Sequence, residues 1–378
     1  MPTSHIPSLT PLRGIAAIWV MLFHIDVCLY YRDLGSLLPQ ESSGLIANGY
    51  LWVDFFFILS GFVISHVYCL SFKQRWRLST FIHFVWARFT RIYPVHVVTL
   101  LLLIPFYLLV PHVYPGVIDS SWVNYFSWNT FSSELFLSNS IGAHPYLSWN
   151  IVSWSIGAEW WTYMFAGFLL AFTSRLTLLA NWILASTSIA VLGYFSMNHS
   201  NGNLDMTYDF GFVRCLCEFI IGIVVYRSYC SQFFKQTLST DTAISILLFA
   251  IVSCFYFRLN DILSIPVFAF LVLCAAYNRG YIMVILESSL PRYLGKVSYS
   301  IYMVHGLVFH LFWYGFPYLT REYGLVQLST LDKLLYVVCF IGLTLALSHV
   351  MHIYVEVHCR RWLNNRWSIL AKRVQTRA

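Results

Sequence analysis

Arg13 and His24 lie in the apolar stretch PLRGIAAIWVMLFHIDV, residues 11–27. Eleven helical residues turn through about 1,100°, so the two side chains fall within roughly 20° of one helix face. They stand about 16 Å apart along the axis, roughly half the hydrocarbon core of a bilayer. An imidazole beside a carboxylate acts as a general base near neutral pH. Asp26 is close in sequence, and Asp54, in LWVDFFFILSGF, enters an apolar run from the same side. The bland reading of a lone His in a bundle is a hydrogen bond to a neighbouring carbonyl. The face shared with Arg13 favours chemistry.

Other ionisable groups fall at membrane depth, where an idle one costs several kcal/mol. Glu159 lies in SWSIGAEWWTYM. Arg214 and Glu218 have the i, i+4 spacing of a helical ion pair. Together with His24 and Asp54, Glu159 and Arg214 are expected in the outer half of the membrane. There they either bind a polar acceptor or form a buried network that holds helices in register. Arg88 and Arg91, in WARFTRIYP, are i, i+3 on one face just before an apolar run, an anion site suited to phosphate. Ordinary positive-inside topology explains their charge but not their alignment. His305, in LGKVSYSIYMVHGLVFH, is expected about 10 Å into its span, counting from Ser298. Ser298, Tyr299 and Ser300 either line a polar channel or cap the helix. His310 follows on the same span, and His349 and His352 are expected near an interface.

These groups need elements to hold them. The chain has 378 residues, is 58% hydrophobic and only 10% charged, with a mean hydropathy of +0.66. A soluble domain carries about 25% charged residues, so the expected class is an all-α, polytopic integral membrane protein. Apolar runs predict ten transmembrane helices near 12–31, 47–68, 92–110, 154–173, 176–195, 210–227, 241–259, 262–278, 298–316 and 333–354. The N-terminus lacks a basic n-region and an A-x-A site, so the first run is expected to stay as a helix. With both termini cytoplasmic, eighteen of the 23 Lys and Arg fall inside and four outside. The reading is one membrane domain, 1–378, with a basic cytoplasmic tail at 359–378 that lies on the membrane as an amphipathic helix. The net charge of +7 sits in a few short segments. That suits topology and lipid headgroups and argues against nucleic-acid binding. Nine Cys without ligand spacing argue against a metal centre. Most, among them Cys215, Cys217, Cys254, Cys274 and Cys339, are expected to be small buried residues. The aromatic outer loop, with Trp122, Tyr125, Trp128 and Trp149, either stacks on sugar rings or lies in the headgroups.

Taken in order, five segments resemble the acyltransferase-3 family of membrane-bound O-acyltransferases. They are the Arg13/His24 pair, FFFILSGFVIS at 55–65, Arg88 and Arg91 before IYP, WSIGAEWWTYM at 154–164, and LGKVSYSIYMVH at 294–305. The chain is similar to the stand-alone form, which lacks the SGNH hydrolase-like domain of some members. The resemblance implies an enzyme of the cell inner membrane that moves an acyl group, most simply acetyl from acetyl-CoA, onto a hydroxyl of an envelope glycan. It implies His24 as general base and Arg13 as a residue that helps to place the acyl donor, with Glu159 counted alongside them as catalytic. It implies Arg88 and Arg91, with His305, as the acyl-CoA site, and Asp54 and Arg214 on the acceptor side. Direct transfer is the simpler scheme, and an acyl-histidine intermediate is the other. The rival class is a proton-coupled transporter or flippase, which also carries intramembrane charge. No internal repeat of the kind many carriers show is visible.

Overall fold

Pro11 falls in the first turn of helix α1 (Leu9–Tyr31), where a missing amide donor breaks no helical bond. The computed structural model describes residues 6–39, 43–74, 77–322 and 328–375. Its other long helices are α2 (Trp52–Gln74), α3 (Leu78–Val113), α4 (Trp154–Thr173), α5 (Leu178–Asn198), α6 (Gly211–Cys230), α7 (Asp241–Tyr256), α8 (Ser264–Tyr277), α9 (Ser289–Glu322), α10 (Thr330–Met351) and α11 (His358–Gln375). Short helical turns fill the remainder, and among the described residues there is no strand. Five helical stretches are long and apolar enough to cross a membrane: Leu9–Tyr31, Ala47–Phe72, Leu78–Val113, Leu178–Asn198 and Thr330–Ile369. The protein is multi-pass. Helices also occupy the other expected positions, α7 and α8 as shorter apolar segments.

Two glycine crossings set the bundle. A Cβ on Gly14 would stand 2.6 Å from the Gly295 amide, and one on Gly295 would stand 2.0 Å from the Thr10 carbonyl. Backbone therefore packs on backbone between α1 and α9. The register then runs on unbroken. His24 meets His305, Cys28 meets Phe309 and Arg32 meets Trp313, each pair separated by the same 281 positions. Only parallel helices can keep a constant separation of this kind. Gly61 and Gly222 make the second crossing, where a Cβ on either would stand about 2 Å from a carbonyl oxygen of the partner helix, α6 or α2. Above that crossing Arg214 donates to Asp54 through Nε (2.8 Å) and Nη2 (2.5 Å), with both side chains fully buried.

The segment between α3 and α4 dips into the bundle rather than lying on it. Glu134 is buried and accepts from Asn139 and Ser153 (2.8 Å each) and from Ser148 (3.2 Å). Burial pushes its carboxyl up to about 8 although those bonds oppose the shift. Asn150 donates to Thr99 on α3 and to the Met303 carbonyl on α9. His310 meets the Trp149 carbonyl at 2.7 Å. Trp122 and Trp149 are buried in an aromatic cluster with Tyr107 and Phe126. Of the four aromatic residues considered for sugar stacking, these two are thus structural, Tyr125 is half-buried and Trp128 is exposed.

The helix ends depart most from hydropathy. Helix α3 begins at Leu78 and α9 at Ser289, well before the apolar runs. Their first turns are mixed in polarity, so helical bonding continues where hydrophobicity does not. Helix α10 passes through a π-turn at His352–Val357 into α11. Helix α11 packs on α3, with Trp367 stacked 4.7 Å from Trp86. Cys339 is exposed on α10, a correction to its expected burial, because it lies off the face that meets the bundle.

Candidate active site

A cavity of about 400 Å³ opens between α1, α2, α3, α4 and α9. Arg13 reaches it from the second turn of α1, Arg88 and Arg91 from α3, and Glu159 from α4. The early start of α3 carries its two arginines here as successive turns of one helix. Glu159 accepts from Ser60 and Tyr163 in two short hydrogen bonds. Arg88 reaches the Tyr68 hydroxyl at 3.4 Å and lies over that ring. Among the described residues neither Arg13 nor Arg91 makes a hydrogen bond or ion pair. Three guanidiniums and the Glu159 carboxylate line the cavity, and the buried Glu356 carboxylate lies within electrostatic reach of Arg13 and Arg91, which leaves a net positive charge in a low-dielectric setting that suits an anion.

Glu159 was expected with His24, Asp54 and Arg214 in the outer set. The structure puts it among the guanidiniums. The preceding loop has already descended to the level of Met303 when α4 begins, so Glu159 lies deeper than hydropathy implies.

The far wall of the cavity is built by Ser155 and Tyr302, whose hydroxyls bond at 2.7 Å. Directly behind it, the Tyr302 ring lies 5.4 Å from the His305 ring, and His305 lies 4.7 Å from His24. His305 is fully buried on α9, and His24 is half-buried on α1. His305 Nε2 stands 3.3 Å from His24 Nδ1. The same Nδ1 lies 2.9 Å from the Val20 carbonyl, and His305 Nδ1 lies 3.2 Å from that of Ile301. The ring partner of His24 is thus an imidazole. Asp26 accepts from the Leu37 amide and Asp54 is engaged by Arg214.

Asp54 and Arg214 line no part of the cavity. Their bidentate bond is closer than the i, i+4 contact of Arg214 with Glu218, which is 3.9 Å. Sequence reasoning missed Ser60, Tyr163, Ser155 and Tyr302 at the cavity, since single hydroxyls in apolar helices carry no spacing signal. It also missed Glu356, buried in the π-turn, which accepts from Ser300 and bonds His352, both at 2.9 Å. The signal was there: a lone carboxylate four residues after a His, just before a basic segment.

Together the fold and the cavity define a multi-pass membrane protein with an arginine-lined chamber next to a histidine pair. A model described as an acyltransferase domain matches residues 6–353, so the chain belongs to the acyltransferase-3 family. It is 33% identical to acyltransferase MdmB of Streptomyces mycarofaciens over 167 residues, 42% of this chain and 38% of that protein. It is also 33% identical to protein 2 in the picA locus of Rhizobium radiobacter, over 28% of this chain and 48% of that protein. The matches thus span less than half the length of these relatives. No solved structure matches the chain.

Proposed function

We propose that the protein is an O-acyltransferase that moves a short acyl group, most simply acetyl, from acyl-CoA to a hydroxyl of an envelope glycan, with His24 as general base. The observation that carries this reading is the chamber itself. Three guanidiniums line it, and Tyr302 separates it from the imidazoles. The axial rise from Arg13 to His24, about 16 Å, suits an extended pantetheine arm with its phosphates at the arginines and its thioester at the histidines. His24 takes the proton of the acceptor hydroxyl as the oxygen attacks the thioester carbonyl. The tetrahedral intermediate collapses, the C–S bond breaks, and the departing thiolate takes the proton back from the imidazolium. Glu159 holds Ser60 and Tyr163 at the chamber wall, next to Arg13.

The reading includes ten spans with both termini cytoplasmic, in the cell inner membrane, as one domain whose basic tail docks along α3. The parallel pairs α1/α9 and α2/α6 support it, because helices of equal parity in a ten-span chain run in the same direction. Asp54 and Arg214 then act on the acceptor side by fixing α2 against α6 rather than by touching the acceptor. The test is transfer of radiolabel from acetyl-CoA to a crude envelope-glycan fraction by membrane vesicles containing the protein. Label in glycan with wild type, lost in His24→Ala and reduced in Arg88→Ala, supports the reading. Equal transfer by His24→Ala removes His24 from the chemistry. No transfer from any of a panel of acyl-CoAs points to the transporter class instead.

A further inference from the structure

We infer that His305 is a positioning residue that fixes the tautomer of His24 and shares the positive charge when His24 takes up a proton. The inference rests on the proposed role of His24 as base.

The geometry fixes where the protons sit. A carbonyl oxygen only accepts, and each ring turns its Nδ1 to the carbonyl one helical turn back, Val20 at 2.9 Å and Ile301 at 3.2 Å. Each Nδ1 therefore carries the hydrogen. His305 Nε2 is then bare, and at 3.3 Å it is a second acceptor for the His24 Nδ1–H. The chain of bonds runs in one direction, from His24 to His305 to the Ile301 carbonyl. It leaves His24 Nε2 bare as well, with a free lone pair for the incoming hydroxyl.

The opposite order fails on the same atoms. A proton on His305 Nε2 would require a bare His24 Nδ1, which would then face the Val20 oxygen lone pair to lone pair. The hydrogen of His24 would move to Nε2, and the base would be lost. His305 thus occupies the place that a carboxylate holds in other base-and-orienter pairs. Its burial on α9 and the fixed register of α1 against α9 keep it there. When His24 Nε2 takes the hydroxyl proton, the Nδ1–H becomes a stronger donor and His305 Nε2 accepts the charge-assisted bond. No second carboxylate has to be buried beside the thioester.

The first test needs no turnover. The full-length protein, labelled with 15N-histidine in detergent or nanodiscs, gives nitrogen shifts that separate bare from protonated ring positions, with His24→Gln and His305→Gln assigning the signals. Both rings are expected to be protonated at Nδ1 and bare at Nε2 at neutral pH. A protonated Nε2 on His305 overturns the inference. The second test is kinetic. His305→Phe keeps the volume and removes the acceptor, whereas His305→Gln restores an acceptor oxygen. His305→Phe should lower kcat about 10- to 100-fold with KM for acyl-CoA unchanged within about twofold, and His305→Gln should recover part of the loss. A raised KM with kcat intact would make His305 a donor-binding residue and overturn the assignment. Equal losses in Phe and Gln would make it structural, which also overturns it. If wild type transfers no acyl group, the functional reading fails while the nitrogen spectrum still decides the order of the pair.

Discussion

Replacing Gly295 by alanine should uncouple the candidate active site without changing any of its ionisable side chains. A methyl carbon at this position would stand 2.0 Å from the Thr10 carbonyl oxygen and 2.5 Å from its carbon. Both atoms belong to the backbone of α1, so no side chain can swing away. Real contacts of this kind essentially never fall below about 3 Å, so α1 and α9 must part by about 1 Å or slide. Overpacking of this size costs about 1–3 kcal/mol of stability. The larger effect falls on geometry. The crossing sets the register that brings His24 to His305, and a misplacement of about 1 Å in a catalytic constellation costs on the order of 100-fold in rate. Gly315 provides the control on the same helix, since an added methyl carbon there would meet nothing within 4 Å. Gly315→Ala should leave activity alone, because only helix propensity changes there. The assay is acyl transfer at saturating acyl-CoA in reconstituted vesicles, alongside a thermal melt of the purified protein. Gly295→Ala with wild-type kcat and wild-type melting would refute the view that this crossing sets the site.

Other outcomes follow from the same structure. Asp54→Asn leaves the buried Arg214 guanidinium short of its closest anion, and should destabilise the protein by about 3 kcal/mol in a denaturant titration in micelles. Arg91→Ala should weaken acyl-CoA binding at least tenfold by calorimetry, since Arg91 lines the cavity and presents its guanidinium there without a hydrogen bond among the described residues. Glu134, with its carboxyl pushed up to about 8, favours the folded state most when protonated. Its contribution is complete below the ordinary carboxylate value and is lost as pH rises toward about 8, with an upper bound of about 5 kcal/mol. Glu134→Gln should flatten that decline, and thermal melts from about pH 5 to pH 8 with unchanged slope would contradict it.

Hydropathy was enough to place helices at every expected span, because burying backbone in lipid leaves a chain few alternatives. It was blind to what happens between spans. The turns that lengthen α3 and α9 pack a narrow apolar edge inward, Phe84 on α3 and Val297 on α9, and leave polar residues such as His83, Arg292 and Lys296 exposed, so their mixed composition reads as loop. The descent of residues 134–153 is likewise hidden, since its buried Glu134, Asn139 and Ser153 satisfy one another and look polar in one dimension. That descent is why hydropathy alone grouped Glu159 with His24, Asp54 and Arg214. Arg13, Arg88 and Arg91 were legible because charge at helical spacing inside an apolar run has few idle explanations. The His24–His305 contact was not legible. Nothing in either segment states that helices so far apart in sequence share a register, and the glycines that enforce it look unremarkable until paired.

The register of α1 and α9 also bears on how the protein is made. The first helix leaves the ribosome carrying Arg13 and His24, yet the helix it packs against begins only at Ser289. Asp54 likewise waits on α2 until Arg214 is synthesised on α6. For most of translation, then, the nascent chain holds ionisable side chains in the bilayer whose native partners do not yet exist. The glycine crossings cannot close until the late helices arrive. A chain built this way cannot assemble its candidate site while it is being synthesised, and its early helices depend on lipid, on water or on the insertion machinery until α9 docks.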